Sequence, residues 1–399
     1  VVILGAGVAG LTTALALARA GVPVDVLERD VAPAPFGRRS AATWVRDGTP
    51  QVQHAHVFGP DCHKLLAAEL PDVLSLLLGA GAREFSPSGA AAGAWTGTAL
   101  AVRRPLFDWV LRRVAEREPG VRVHCGTPGT GLRTDGSRLT GVVLRGGVLA
   151  ADVAVDATGG QGQLPRWLAD LGYACAHPEP ARTSPPTTYY SRCYSLRWPG
   201  ELGVLNLGLA AGGDFDGYRC RAVPGDNDAF TVTFGVPADP GAAGTGAIGA
   251  SSELASLRMP DCFQAAAERV PEVADWVEPG AADQLTGVAV LTDWPPVPAT
   301  SLAGVAALPG LVSVGDARGV PDPPAEHGVA SAMAHAVACA AAILDSGDGA
   351  AADLEQRVRD ARSDEPALPF PRGQSADGPS AHELAAIAES AGGLAPVRV

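Results

Sequence analysis

Val1-Val2-Ile3-Leu4-Gly5-Ala6-Gly7-Val8-Ala9-Gly10 opens the chain, and Glu28 follows after one helix and one short apolar run. Residues 1–4 read as a buried strand, the glycines at 5, 7 and 10 as a tight turn, and 11–20 as a helix. Gly21 reads as a left-handed stop and Val24-Asp25-Val26-Leu27 as a second strand. In such a turn the first glycine permits the bend, the second lets the backbone approach a pyrophosphate, and the third packs helix against sheet. The diphosphate then lies at the helix N-terminus, where unpaired N–H groups and the helix dipole favour an anion. Glu28, ending the second strand, is placed to accept hydrogen bonds from an adenosine ribose. Glycine spacing alone is a weak signal, but strand, helix and acid in register specify a dinucleotide site. They leave FAD and NAD both open.

Outward from this unit, residues 31–53 are irregular, and helices are expected at about 60–70 and 72–78. Residues 86–98 read as a crossing loop. A further helix follows Pro105, with Phe107, Val110, Leu111 and Val114 on one face. The runs 121–125, 139–144 and 148–155 read as three strands of a meander that returns to Asp156-Ala157-Thr158-Gly159. Segments 189–196, 203–209, 218–223 and 230–236 carry β-formers between turns and suggest a separate antiparallel sheet facing the substrate. A Gly/Ala-rich loop at 237–251 and a helix at 261–277, interrupted at Pro271, come next. Residues 311–314 form a short buried strand ending at Gly315-Asp316, and a proline-rich turn leads into an Ala-rich helix at 328–344. Beyond 345 lies a tail with one charged helical stretch and coil.

Composition narrows the class. The chain has 399 residues, with 47% apolar content but only 5% aromatics, so Ala, Val and Leu must make most of its core. A net charge of −13 argues against nucleic acid and against an anionic membrane surface. The Ala-rich run 328–344 is interrupted by His335 and is not expected to span a membrane, and no secretory signal is visible. The chain opens inside a strand without a Met. Cys62, Cys125, Cys175, Cys193, Cys220, Cys262 and Cys339 are scattered without a C-x-x-C pair, as reduced thiols of a cytoplasmic protein would be. Lys64 is the sole lysine among the 30 basic residues, so any lysine-dependent chemistry has one candidate.

FAD is favoured over NAD by the far end of the chain. There is no second dinucleotide fingerprint, because 126–131 has the wrong spacing. Asp316, at the end of a buried strand, is placed to hold a polyol, and the following helix N-terminus would face an electron-rich ring oxygen.

With these features in hand the sequence resembles the FAD-dependent monooxygenases of the para-hydroxybenzoate hydroxylase type, in particular the bacterial branch of natural-product hydroxylases and epoxidases. The resemblance runs from Val1 to about Leu344. It is carried by Gly5–Gly10 with Glu28, by residues 48–56 ending in His54-Ala55-His56, by Arg104-Pro105-Leu106-Phe107-Asp108, by Asp156-Ala157-Thr158-Gly159 with 164–168, and by 308–316 through Pro323 to Gly328. It implies an α/β fold: a Rossmann-like FAD-binding domain of the glutathione-reductase type, discontinuous over 1–60, 98–165 and 300–345. An antiparallel-sheet substrate domain over 61–97 and 166–299 is interleaved with it, and 346–399 is a C-terminal tail. It implies a cofactor set of Gly5, Gly7, Ala9, Gly10, Glu28, Arg29, Arg104, Asp156, Gly159, Gly315, Asp316, Pro323, Gly328 and Val329. The implied reaction is hydroxylation or epoxidation of an apolar metabolite with O2 through a flavin C4a-hydroperoxide. NAD(P)H bound transiently, or a separate flavin reductase, would supply the electrons.

The departures from that branch are specific. Gly160, Gln161, Gly162 and Gln163 replace a run that usually carries two arginines and a serine, Gln53 stands where arginine is usual, and Glu326 stands where the flavin-side turn usually has glycine. A carboxylate there opposes the charge of reduced flavin unless it points away or pairs with His327. Glu326 and His327 therefore read either as an acid/base pair acting on substrate or as surface residues of a displaced turn. The first reading goes with a redox-silent cyclase or isomerase on the same fold, and a flavin dehydrogenase or reductase is a third alternative. His54 and His56 are candidate pocket residues, with no third ligand nearby to make a metal site. Tyr189, Tyr190, Trp95 and Trp294 are candidate pocket aromatics, and Lys64 is expected on a solvated helix face.

Overall fold

The computed structural model describes residues 1–31, 44–89, 91–160, 162–173, 187–198, 203–237, 254–294, 308–318, 328–346 and 378–392. Expectations placed on 237–251, on the 319–327 turn with Pro323, Glu326 and His327, on Gln161 and on Cys175 lie wholly or almost wholly outside them.

The opening unit folds as its sequence dictates. Strand β1 (Val2–Leu4) leads through the glycine turn into α1 (Val8–Arg19), and β2 (Val24–Leu27) returns parallel to β1 with Val2 opposite Asp25. Further along the chain come β3 (Arg83–Phe85), β4 (Ala99–Ala101), β5 (Val121–His124), β6 (Gly131–Thr134), β7 (Leu139–Leu144), β8 (Gly147–Ala150), β9 (Ala154–Asp156) and, much later, β16 (Leu311–Ser313). Five of these make one wholly parallel sheet in the order β16-β9-β1-β2-β5. The α/β class with a Rossmann-type parallel sheet is therefore established. β1 sits at its centre, with β2 on one side and β9 and β16 on the other.

The meander differs from expectation in one respect. Residues 121–124 join the parallel sheet beside β2, and the meander is instead β6-β7-β8, with β9 split off to pair with β1. A short apolar run does not declare whether its partner will be parallel or antiparallel, so periodicity could not separate these two strands.

Helices α2 (Pro60–Glu69), α3 (Pro71–Gly79) and α4 (Arg104–Ala115) follow β2 and pack on one face of the parallel sheet with α1. Their starts are legible, since Pro60, Pro71 and Pro105 stand in the first two positions of their helices, where no N–H is needed. Cys62, Leu66, Leu70, Val73 and Leu77 share the core of Leu11, Ala14 and Leu15. α5 (Leu164–Asp170) and the meander cover the opposite face through Leu164, Trp167, Leu132 and Val142.

The second layer is a six-stranded antiparallel sheet of β10 (Thr187–Leu196), β11 (Ala211–Phe215), β12 (Tyr218–Pro224), β13 (Ala229–Pro237), β14 (Ala282–Gln284) and β15 (Ala289–Trp294). Residues 203–209 form a turn rather than a strand, held by Ser88 N–H donating to Gly208. One face of this sheet buries Tyr190, Tyr194, Cys220, Phe230 and Phe234 against α6 (Pro260–Ala267), α7 (Pro271–Val277) and α9 (Ala381–Ala391). The alternate residues look the other way, toward the parallel sheet.

α8 (Gly328–Ser346) is the Ala-rich helix expected at 328–344. Its window 328–345, with mean hydropathy 1.5, is long and apolar enough by length and composition to cross a membrane, although His335 interrupts the apolar run as expected. Its buried residues Val329, Ala332, Met333 and Cys339 nevertheless lie in the core of α1 and α2, where an apolar helix is the ordinary solution.

Candidate active site

The glycine turn shows each residue's task. Gly5 has φ +101°, and a Cβ there would stand 2.5 Å from the Ala157 carbonyl oxygen. A Cβ on Gly10 would strike the Gly5 carbonyl, so Gly10 closes helix on turn. Gly7 is the opposite case: a Cβ would meet nothing within 4 Å, because its Cα faces an open cleft. Gly7 is also the N-cap of α1 and offers no side-chain cap, which leaves the first-turn N–H groups without an internal partner. A diphosphate would occupy that position.

The cleft has a volume of about 410 Å³ and crosses the C-terminal ends of the parallel strands. Glu28 beyond β2 and Asp316 beyond β16 line the cleft on opposite sides of β1, with Gly7 between them. Gly5, Gly7, Ala9, Glu28, Arg29, Arg104, Gly159, Asp316, Gly328 and Val329, expected from the sequence, all line it. Gly10, Asp156 and Gly315 do not. Asp156 turns inward, its Oδ1 accepting from Thr158 N–H at 3.0 Å and Thr158 Oγ1–H at 2.6 Å. Gly315 brings the end of β16 against Ala9 and Ala332. These three shape the walls rather than face the ligand.

Glu28, expected as a ribose acceptor, sits in a buried charge network at the cleft edge. Glu28, 6% exposed, accepts from Ala6 N–H at 3.0 Å and from Arg46 Nη2 at 3.1 Å through Oε2, while Oε1 accepts from Asp30 N–H. Arg46 Nη1 also donates to Asp108 at 3.0 Å, and Asp108 in turn accepts from Arg104 Nε at 2.6 Å. Burial pushes the Asp30 carboxyl up, with the neighbouring Glu28 adding to it. Removing Arg46 would leave Glu28 buried without its cation, at about 3–5 kcal/mol. Arg46 went unread in the sequence, since an arginine in an irregular segment carries no local signal of its partners.

At the other end the antiparallel sheet closes the cleft. His54 Nδ1 lies 2.7 Å from Ser191 Oγ on β10, and Ser191 Oγ lies 2.7 Å from Thr233 Oγ1 on β13, which accepts from Ala55 N–H. His56 Nδ1 stands 2.8 Å from the His54 carbonyl, so that nitrogen donates and Nε2 is left as acceptor. Burial lowers His54 to about 4 and His56 to about 3, the latter with Arg104 adding to the effect. Both rings are neutral at neutral pH and suit orienting a substrate hydroxyl better than removing a proton. Asp316 is raised by burial and lowered by the Arg104 charge. Among the described residues no group of three metal-ligating side chains gathers.

Of the candidate aromatics, Tyr189 lines the cleft, Tyr190 and Trp95 are buried in cores, and the side chain of Trp294 lies outside the described set. Lys64 is exposed on α2. Gln163, a departure from the resembled branch, and Trp167, within its 164–168 motif, line the cleft, and so do Arg219, Arg221 and Thr233 on the sheet, which the sequence did not single out.

Comparison with known proteins agrees with this geometry. Residues 1–49 match the family model of the FAD-dependent oxidoreductases of the DAO type. PqsL of Pseudomonas aeruginosa, described as a probable FAD-dependent monooxygenase, superposes with a TM-score of 0.62 at 16% identity over 90% of each chain. The flavin-dependent brominase Bmp2 gives 0.55 at 16% identity, over 90% of this chain and 82% of its own. The Diels-Alderase PyrE3 of pyrroindomycin biosynthesis gives 0.56 at 18% identity, over 91% and 68%. No curated protein matches the sequence. The fold is thus that of the FAD-binding monooxygenases and halogenases.

Proposed function

We propose that the chain is an FAD-dependent oxidoreductase of the monooxygenase kind, which hydroxylates or epoxidises a small organic molecule. The observation that carries this reading is one continuous cleft that begins at the open α1 N-terminus by Gly7 and ends on the polar face of the antiparallel sheet. FAD fits the residues present: the open space over Gly7 takes the diphosphate, Glu28 and Arg29 lie at the adenosine end, and Asp316, Gly328 and Val329 lie at the flavin end. When bound, FAD supplies the two-electron chemistry and the reaction with O2, with NAD(P)H or a partner reductase as the electron source.

The protein's own residues position and exclude. Arg104, tied to Asp108, holds positive charge beside Asp316. His54, fixed through Ser191 and Thr233, and neutral His56 hold the substrate side of the cleft in one arrangement. The sheet walls it from water, which strengthens every polar contact inside. A second reading, redox-silent cyclisation or isomerisation, is favoured by one observation, the likeness to PyrE3, described as a Diels-Alderase. The visible spectrum of the purified protein, followed by anaerobic NADPH or reductase addition and then air, separates the two. Flavin that bleaches and reoxidises supports the monooxygenase. Bound flavin that neither reductant bleaches supports the second reading, and a colourless protein that takes up no FAD removes the first.

A further inference from the structure

We infer that Arg219, on the cleft side of β12, binds a carboxylate group of the substrate, an inference that rests on the cleft being the substrate site. Strand alternation places Arg219, Arg221 and Val223 on the cleft face, while Tyr218, Cys220 and Ala222 between them enter the core. The two guanidinium groups have different fates. Arg221 Nη1 donates to the carbonyls of Gly213 at 2.6 Å and Cys220 at 3.0 Å, and its Nη2 donates to Asp214 at 2.8 Å, so it holds β11 against β12. Asp214 is also the residue directly across the ladder from Arg219, and it is engaged by Arg221. Arg219, partly buried in the cleft wall, has no hydrogen-bond or ion-pair partner among the described residues.

A second observation shows that this position is built. Gly235 pairs with Tyr189 across one ladder and with Arg219 across the other. A Cβ on Gly235 would stand 2.9 Å from Arg219 Cγ and 3.1 Å from Tyr189 Cε1, so the bare glycine lets the arginine stem and the phenol ring close over it from both sides. Leu291 extends the same row beyond Tyr189. The row thus offers an apolar and aromatic surface ending in a fork of five N–H donors, the geometry that takes a planar carboxylate through two parallel hydrogen bonds. The apolar substrate expected from the sequence becomes an organic acid: an apolar body on Tyr189 and Leu291, and a carboxylate on Arg219.

Titration calorimetry on the protein as purified tests this, with benzoate, 1-naphthoate and decanoate each measured against its primary amide. The expected result is that at least one acid binds at least tenfold more tightly than its amide. In Arg219→Met that preference disappears, the acid weakening by about ten- to a hundredfold while the amide is unchanged. Arg219→Lys, which keeps the charge without the fork, retains part of the preference. Equal binding of acid and amide, absence of binding by every acid, or a preference that survives Arg219→Met overturns the assignment. NADP+ titrated alongside separates a substrate carboxylate from a dinucleotide phosphate: loss of NADP+ binding in Arg219→Met with acid binding intact also overturns it. Flavin content, read from the spectrum of the same preparations, reports independently on the proposed redox function.

Discussion

At the scale of single residues, the three glycines of the opening turn make separable predictions. Gly7→Ala places its methyl in open cleft, so the fold should keep its stability while FAD affinity falls at least tenfold, about 1.4 kcal/mol, measured by flavin fluorescence quenching and thermal melting. Gly10→Ala drives its methyl into the Gly5 carbonyl and should cost about 1–3 kcal/mol in urea unfolding. Equal stability of the two variants would contradict the assignment of their roles. His54 and His56 make a pH prediction. Their native pKa values, about 4 and about 3, lie below the ordinary 6.5, so below pH 6.5 the unfolded chain takes up protons that the native state refuses. Their effect is absent above pH 6.5 and removes stability as pH falls from 6.5 toward 4, by up to about 1.4 kcal/mol per pH unit for each ring. Urea unfolding at pH 7 and pH 5 should show a smaller loss in the His54→Gln, His56→Gln double variant than in the wild type. An undiminished loss would place the buried protonation elsewhere.

At the scale of elements, the last described helix is tied to the substrate-side core by local chemistry. Ser380 caps α9 through a reciprocal pair: its hydroxyl oxygen accepts from Glu383 N–H at 3.3 Å, and Glu383 Oε2 accepts from Ser380 N–H at 2.9 Å. α9 buries Leu384, Ala385 and Ala388 beside α6, so helix and sheet support one another. Ser380→Ala should lower stability by about 1 kcal/mol, read as a shifted urea midpoint with unchanged slope. A variant as stable as the parent would mean that the docked face alone forms the helix. The helix start at Pro105 was legible because proline at a first turn is a local preference, whereas Pro271, expected to interrupt one helix over 261–277, opens a separate helix, α7. β5 was misassigned to the meander because its partner, β2, is distant in sequence.

At the scale of the whole molecule, residues of both layers line the cleft, and an ion pair outside its lining ties the two layers together. Arg103, N-cap of α4, donates to both carboxylate oxygens of Asp226 in the turn between β12 and β13, at 3.0 and 2.7 Å, and its backbone N–H donates to the same side chain. A ligand lying in the cleft touches both layers, so its binding should stabilise the molecule as a unit. At a hundredfold excess over its dissociation constant FAD adds about 2.7 kcal/mol, visible as a single melting transition moved upward. A shift confined to one of two resolved transitions would show that the layers unfold independently. The shift should be largely lost in Gly7→Ala.

What the amino-acid sequence determined by itself is whatever rests on near neighbours along the chain: the strand–turn–helix unit at 1–28, the cleft-lining residues gathered at its turn, and the late Gly315-Asp316 at a strand end. Strand period, turn conformation and helix start are all settled within a few residues, so they can be read in one dimension. Only the tertiary structure decided that Arg46 pairs with Glu28 and Asp108, that Asp156 turns away from the cleft, and that of two arginines two residues apart Arg221 is engaged while Arg219 faces the cleft. Those outcomes depend on which charges distant segments bring into contact after burial, and long-range pairing of that kind leaves no trace in local spacing.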